Sequence, residues 1–526
     1  MMKNLNSQLS MKEISKKKIL VFLSVIIISS IIVRIYFVNF EIELTNDSLN
    51  YFFYALDIKI NNQLPINYSL ANPGWGIFLS IFFSNFESQN IIDYMNLQKI
   101  LSISISSLTI LPMYLLSKKF FRKSYSLLGA LIIGFEPHLI QNSLLGISDS
   151  LYIFLIVISF LLYFNENNKI KYISFVIVGF CTITRGEGIF ILIPFLIMII
   201  LKSGKVKIKI LDLIISVLIF SIIFLPIALI QFEIYQSDMA FGRAINTIEA
   251  HTIDSKEEGN ITGINFIFNG IENFPKYLGW SLIPIFLPFL PIGFVLMFKN
   301  WNYRIKTIFT SLVLMSMPAF YAYAISIQDA RYFFFLYPLF IILSMITIEK
   351  MGKKFNPKII FVVIIGFVII SSSVYSVLKI DDTQSNEYFF IAKKISETSK
   401  MINDYKKSEY LEPLNYPKEF NEFKKLYELD RIDKESIRQS IPQKIIKIPI
   451  VNHQNINEFI NSNKNDLTHI IVENDKESVL YDIFINEEKY PYLIKEFDSS
   501  SKDFKYSMKI FGIDFKKFNE SYLRNK

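Results

Sequence analysis

Apolar runs broken by short polar interruptions fill this chain from residue 19 to residue 378. A helix crossing the hydrocarbon core of a bilayer needs about 20 mostly apolar residues, and candidate spans of about 15–22 residues are read at the following positions. They are 19–38, 97–117, 125–142, 150–164, 170–184, 188–201, 210–231, 277–298, 305–325, 333–348 and 359–378, eleven in all. Two long segments interrupt the series, 39–96 and 232–276. In the first, helical spacing predicts a helix over 48–60, capped by Asn46 or Asp47 and stopped near Leu64-Pro65. Asp47, Tyr51, Tyr54 and Ile58 share one face of that helix, which is expected to lie along the membrane interface. The stretch ANPGWGIFLSIFF at 71–83 joins a Pro-Gly turn to about ten apolar residues, too few to span and suited to a re-entrant or interfacial helix. The second segment, 232–276, is acidic and hydrophilic, and fits a lid, a binding loop or a flexible linker equally.

Beyond residue 378 the pattern changes. Residues 445–451, 467–473 and 506–515 read as strands, and 456–462 and 477–497 as helical. The expected fold is therefore an α-helical polytopic membrane protein of about eleven transmembrane helices, with interfacial helices in the first outer loop and a C-terminal soluble α/β domain. The division is a basic tail at 1–18, a transmembrane domain at 19–378 and the α/β domain at 379–526.

Composition supports the membrane reading. Of 526 residues, 52% are hydrophobic, with 50 Phe and 28 Tyr, which is more apolar surface than a soluble domain of this size hides. The net charge of +8 raises the question of nucleic acid. Its lysines cluster between apolar spans, the pattern that orients a membrane protein, so nucleic-acid binding is set aside. The one cysteine, Cys181, lies inside a span, and four His residues are too scattered for a metal cluster. The basic tail (Lys12, Lys16, Lys17, Lys18) precedes a first span with no small-residue cleavage site, so that span is expected to be retained.

Alternate loops predict sidedness. The tail and the loops at 118–124, 165–171, 202–209, 299–306 and 349–358 hold 22 Lys plus Arg, against 6 in the longer intervening loops. The basic set is expected to be cytoplasmic, together with the N-terminus. That arithmetic puts 379–526 outside, and also Asp47, Asp149, Arg185, Glu187, Asp329 and Arg331. Ionisable groups beside hydrocarbon are expensive and usually serve a task.

The order of motifs resembles a known family. An acidic residue after the first span, Tyr51 and Ala55, the turn Pro73-Gly74-Trp75, then SDSLYIFL (148–155), TRGEGIFILIPF (184–195) and ARYFFFLYPL (330–339) look like the GT-C glycosyltransferases that use lipid-phosphate sugars. The nearest branch in this respect is the protein O-mannosyltransferase and aminoarabinose-transferase group, and residues 490–515 resemble the end of archaeal members. The resemblance implies transfer of a sugar from a polyprenyl or dolichyl phosphate carrier to an extracytoplasmic acceptor, with inversion. It implies Asp47 as the base that takes the acceptor proton and Arg331, or Arg185, at the donor phosphate. Asp149, Glu187, Tyr51, Asp329 and Trp75 follow as substrate-binding residues, with Glu136 and His138 as weaker candidates. Where the family often has two adjacent acids, this chain has Asn46-Asp47, so no metal ligands are assigned and divalent-metal dependence stays open. The Trp-Trp-Asp motif of oligosaccharyl transfer to asparagine is absent, as is a Gly-rich nucleotide loop.

Each residue also has a structural reading. Asp47 and Asp149 are good helix caps, Arg331 can pair with Asp329 or snorkel, and Arg185 with Glu187 can form a charged turn. A flippase or transporter for lipid-linked sugars is the alternative function. Transporters tend to carry internal repeats and midplane charges, neither of which is seen here.

Overall fold

Apolar stretches fold as helices because no water is available in lipid to satisfy an open backbone, and prolines then decide where they joint. The computed structural model describes residues 15–524 except 45, 66–69, 203, 236–262, 381–382, 399–400, 404–410, 412–413, 415, 431–445, 449–454, 477, 503 and 506. Most of the segment 232–276 therefore lies outside the described residues. Six described helices are long and apolar enough to cross a membrane: Lys16–Phe37, Ile91–Ser117, Val206–Glu233, Tyr303–Ala324, Ala330–Lys354 and Pro357–Lys379. Shorter apolar helices run at Gly74–Asn85, Lys123–Phe135, Asp149–Tyr163 and Gly186–Leu201.

Several expected spans are jointed. The stretch 125–142 is two helices, Lys123–Phe135 and Pro137–Leu144, because Glu136-Pro137 interrupts the ladder and the Glu136 side chain accepts from Leu139 N to cap the second. The stretch 277–298 likewise divides into the end of Gly263–Leu282 and Leu290–Met297, across a segment holding Pro284 and Pro288. Two compact units result: Met1–Val38, Asn50–Asn85 and Asn96–Ile380 form the first, and Asn39–Leu49, Phe86–Met95 and Asp381–Lys526 the second.

In the first unit the helix Ala330–Lys354 is central, with 83% of its apolar window buried, whereas Val206–Glu233 has only 11% buried. The latter displays Ile222 and Leu229 outward, and Val362 and Ile370 do the same on the last helix. These are surfaces that only lipid would cover without cost. Tyr337 is fully buried in the central helix and donates to Ser281 O at 2.9 Å, so its hydroxyl does not stand unpaired.

Arg34, near the end of the first span, is completely buried. Its guanidinium is held by neutral acceptors: Ser143 Oγ and Ser106 Oγ at 3.1 Å each, Gly134 O at 2.9 Å, and Ser30 Oγ and O one turn earlier. Three of these bonds, one from each guanidinium nitrogen, thus clasp three helices to the first. Glu136, also fully buried, adds an opposing charge and hydrogen-bonds to His138 Nδ1 at 2.9 Å, while His138 Nε2 meets Tyr375 OH at 3.0 Å. Glu136 and His138 thereby serve helix capping and packing.

The second unit is a five-stranded mixed sheet of order β2-β1-β3-β5-β4, with β1 Met401–Asn403, β2 Ile446–Ile448, β3 His469–Glu473, β4 Leu493–Asp498 and β5 Met508–Ile513. β1 is parallel to β2 and β3, while β5 runs antiparallel to β3 and β4. Alternation along the strands buries both faces. Ile471, Met508 and Ile510 pack with Ile391 and Ile395, and Ile470, Val472 and Phe511 with Phe459, Ile483 and Phe518. The segment 477–497 is not one helix, which corrects the expectation. After the short helix Tyr481–Ile485 the chain becomes strand β4, because Pro491 disfavours helix at Tyr490 and the edge of β5 supplies hydrogen bonds. Pieces of the first loop belong to this unit: Lys418 pairs with Glu43, Phe420 N donates to Gln89 O at 2.7 Å, and the Tyr94 and Phe420 rings stack at 5.3 Å.

Two outcomes are expected. Arg34→Ala leaves several buried acceptors unmet and should cost about 3 kcal/mol, read as a lower melting temperature in detergent, with only partial recovery in Arg34→Lys. In the second unit, partial burial raises the Glu487 carboxyl, but hydrogen bonds from Lys509 and Lys495 outweigh that and hold it below its ordinary value. A depressed carboxyl contributes stability above its unfolded value of about 4.3, lost as pH falls through the folded one. Glu487→Gln should therefore flatten the acid-side loss of hydrogen-exchange protection in β4 and β5.

Candidate functional site

The polar motifs of the first unit meet where three helix ends converge. Helix Asp149–Tyr163 begins at the SDS motif, and every side chain of that motif has a partner. Ser148 Oγ meets Tyr51 OH at 3.2 Å, Ser150 Oγ meets Ser102 Oγ at 3.0 Å, and Asp149 Oδ2 accepts from Asn142 Nδ2 at 2.9 Å. The motif is presented by a turn at Gly146, whose φ of 70° favours glycine. The Gly146 carbonyl accepts both Trp75 Nε1 and Gln98 Nε2 at 2.8 Å, which fixes the turn.

Helix Asn168–Thr184 ends at Arg185, where the chain turns extended and passes through a short 3₁₀ turn, Gly186–Gly188, into Ile189–Leu201. Arg185 pairs with Asp149 through Nη1 and with Glu187 Oε1 through Nη2 at 3.1 Å. Its face lies toward the Tyr152 ring, 5.8 Å from the centroid. Its Nε is buried and has no hydrogen-bond partner. A guanidinium paired with two carboxylates whose buried Nε–H has no partner is a group poised to hold a further acceptor.

The turn at 72–75 locks onto this end. Asn72 Oδ1 accepts from Gly186 N at 2.9 Å, and Gly74 lies so close to Thr184 that a Cβ there would stand 2.7 Å from its backbone N and Cα. Trp75, expected among the substrate-binding residues, is part of this brace. Its ring is fully buried and its N–H is engaged by Gly146, so it acts by holding the turn. The helix predicted over 48–60 runs Asn46–Asn61 and buries Leu49, Phe52, Phe53, Tyr54, Ala55 and Leu56. Most of its circumference is buried, because the aromatic residues Phe52, Phe53 and Tyr54 point to different sides of it.

Asp329 caps the 3₁₀ segment Ala330–Leu336, accepting from Arg331 N at 2.8 Å and pairing with Arg331 Nε at 2.5 Å. Tyr323, stacked on Tyr277 at 4.8 Å, donates to Asp329 O at 2.9 Å. Tyr332 lies within electrostatic reach of Arg185, Glu187, Asp329 and Arg331, and Tyr51 within reach of Arg185. Five of the expected residues, Asp149, Arg185, Glu187, Asp329 and Arg331, with Tyr51, thus belong to one polar neighbourhood. Asp47 is exposed at the start of its helix, one turn before Tyr51, in a segment grouped with the second unit.

Asn142, Asn72 and Gln98 were not legible as site residues. Their only sequence signal is a polar amide inside or beside an apolar run. No group of three or more His, Cys, Asp or Glu side chains gathers as a metal site among the described residues. The carboxylates of Asp149, Glu187 and Asp329 are each engaged by an arginine.

No protein-family model and no curated protein matches this chain. Solved structures do. The chain is similar to the apo oligosaccharyltransferase of Archaeoglobus fulgidus, at a TM-score of 0.54 and 11% identity, over 89% of this chain and 71% of that one. It is similar to the oligosaccharyltransferase AglB of the same organism in complex with an inhibitory peptide and a dolichol-phosphate, at 0.51 and 12%, over 94% and 74%. It is also similar to ArnT from Cupriavidus metallidurans bound to undecaprenyl phosphate, at 0.51 and 10%, over 94% and 98%. Both proteins are GT-C glycosyltransferases, and the chain has the GT-C fold and is a multi-pass membrane protein.

Gly74→Ala should push the 72–75 turn off Thr184 and destabilise the unit by about 1–3 kcal/mol. A lower melting temperature checks this, and an unchanged one would show that the turn gives way freely.

Proposed function

We propose that this protein is a membrane glycosyltransferase that moves a sugar from a polyprenyl- or dolichyl-phosphate monosaccharide to an extracytoplasmic protein, glycan or lipid acceptor, with inversion. The observation that carries this reading is Arg185, held between Asp149 and Glu187 at one end of a GT-C fold with a buried N–H left to donate. The lipid phosphates in the neighbours' structures support the donor class.

In the proposed reaction the acceptor hydroxyl attacks the anomeric carbon while Asp47 takes its proton, and the bond from that carbon to the phosphate oxygen breaks. The leaving lipid phosphate gains negative charge, which Arg331 offsets. Arg331 suits this role because its side chain is 39% exposed and its backbone is fixed by Asp329. Arg185 is more enclosed and is the second choice for the phosphate. Its other role is to aim Asp149 and Glu187, whose remaining lone pairs suit sugar hydroxyls. Tyr51 joins the helix that carries Asp47 to Ser148 in the SDS motif.

Purified protein in lipid nanodiscs, given radiolabelled polyprenyl- and dolichyl-phosphate monosaccharides and membrane extract as acceptor, provides the test. Asp47→Asn should lower transfer at least about 100-fold while retaining donor binding. Arg331→Ala should weaken donor binding about tenfold or more together with turnover. Normal turnover by folded Asp47→Asn removes the base assignment, and unchanged donor affinity in Arg331→Ala moves the phosphate contact to Arg185. Movement of donor across the bilayer without sugar transfer would replace the enzyme reading with a carrier.

A further inference from the structure

The far end of the first unit holds a cleft that the proposed reaction does not use. Phe120 packs edge-on against Phe164 at 5.3 Å, and Tyr163 OH meets Tyr303 OH at 2.9 Å, both at the opposite end of helix Asp149–Tyr163 from Asp149. At 1.5 Å per residue that end is about 22 Å away from Asp149. The cleft there has a volume of about 780 Å³ and is lined by Lys119, Phe120, Phe121, Trp301 to Ile305, Ile346 and Glu349. Its size is that of a small-molecule site.

Its charge is positive. Arg304 is positioned by a hydrogen bond from Nη1 to Lys119 O, and its Nη2 stands 3.9 Å from Glu166, a carboxylate 92% exposed and therefore a weak partner. Lys119 has no ion-pair partner among the described residues, and Glu349 is offset by Lys353 at 3.2 Å. Helix Tyr303–Met315 starts in the cleft wall, capped by Asn302, so its first amides add to the positive potential. Beside these cations is an exposed aromatic rim, with Trp301 stacked on Phe298 at 5.2 Å and Phe294 next to it. Inorganic phosphate or glycerol phosphate gains nothing from that rim, whereas the acyl chains of a phospholipid do. A tryptophan beside basic residues is also the usual arrangement at headgroup depth.

We propose that this cleft binds the phosphate headgroup of an anionic membrane lipid through Lys119 and Arg304, with the acyl chains along the Phe298 and Trp301 rim. The loops that form it are among those whose lysine and arginine content predicts the cytoplasmic leaflet, where anionic lipids attract such clusters. The inference does not depend on the transferase reading.

Trp301 is one of three tryptophans, so Trp75→Phe with Trp280→Phe leaves it as the sole reporter. In phosphatidylcholine nanodiscs, chain-brominated phosphatidylglycerol should quench Trp301 saturably and at lower mole fraction than brominated phosphatidylcholine. Lys119→Gln and Arg304→Gln should each weaken that preference about fivefold. Because Trp75 is buried and its replacement can unfold the protein, native mass spectrometry of the otherwise unaltered chain is the second measurement. Retained phosphatidylglycerol adducts should be lost in the Lys119→Gln, Arg304→Gln double variant. Equal quenching by both lipids, or adducts unchanged in the double variant, overturns the proposal. Displacement of the lipid by inorganic phosphate or glycerol phosphate at millimolar levels would reassign the cleft to a soluble phosphate compound.

Discussion

A positive charge set into an apolar helical bundle must be paired and hydrogen-bonded, because desolvating it costs several kcal/mol. Arg185 meets that demand through Asp149 and Glu187, and the surrounding architecture follows from it. Asp149 must be aimed, so Asn142 holds its second oxygen and the Gly146 turn is tied by Trp75 and Gln98. The turn after Arg185 must also be held, so Asn72 accepts from Gly186 and Gly74 abuts Thr184.

Two arginines set into the bundle, Arg34 and Arg185, show how enclosure alone does not identify a site. Arg34 directs its donors at hydroxyls and carbonyls and has no exposed surface, which makes it a clasp between helices. Arg185 retains partial exposure at its side chain and an unmet Nε, which makes it available to chemistry. The difference lies in what each guanidinium has left to donate.

The first unit is also polar in the electrical sense. One end holds the carboxylates Asp149, Glu187 and Asp329 with their arginines, and the other holds Lys119 and Arg304 around an aromatic cleft. A single helix, Asp149–Tyr163, connects them, with its acidic start in one cluster and Tyr163 bonded to Tyr303 at the other.

Much of this was legible in the chain itself, because hydropathy and turn chemistry are local properties. The apolar runs located helices, Ser148-Asp149, Arg185 to Glu187 and Asp329 to Arg331 stood at helix ends, and the lysine-rich loops marked one side. Local pattern failed where a partner is remote. Arg34 reads as a stray charge in a span, although Ser30 one turn earlier hinted at a polar face, and its other acceptors lie 72 to 109 residues away. Asn142 and Asn72 look like incidental amides, and nothing local shows that the Trp75 ring is fully buried with its N–H on Gly146 O. The segment 477–497 has a helical pattern, yet the edge of β5 and Pro491 turn its second half into a strand. The sequence by itself determined that this is a membrane bundle with ionisable residues at its helix ends. Only the tertiary structure decided which of them are spent on one another, because hydrogen bonding between distant segments depends on packing that no local period encodes.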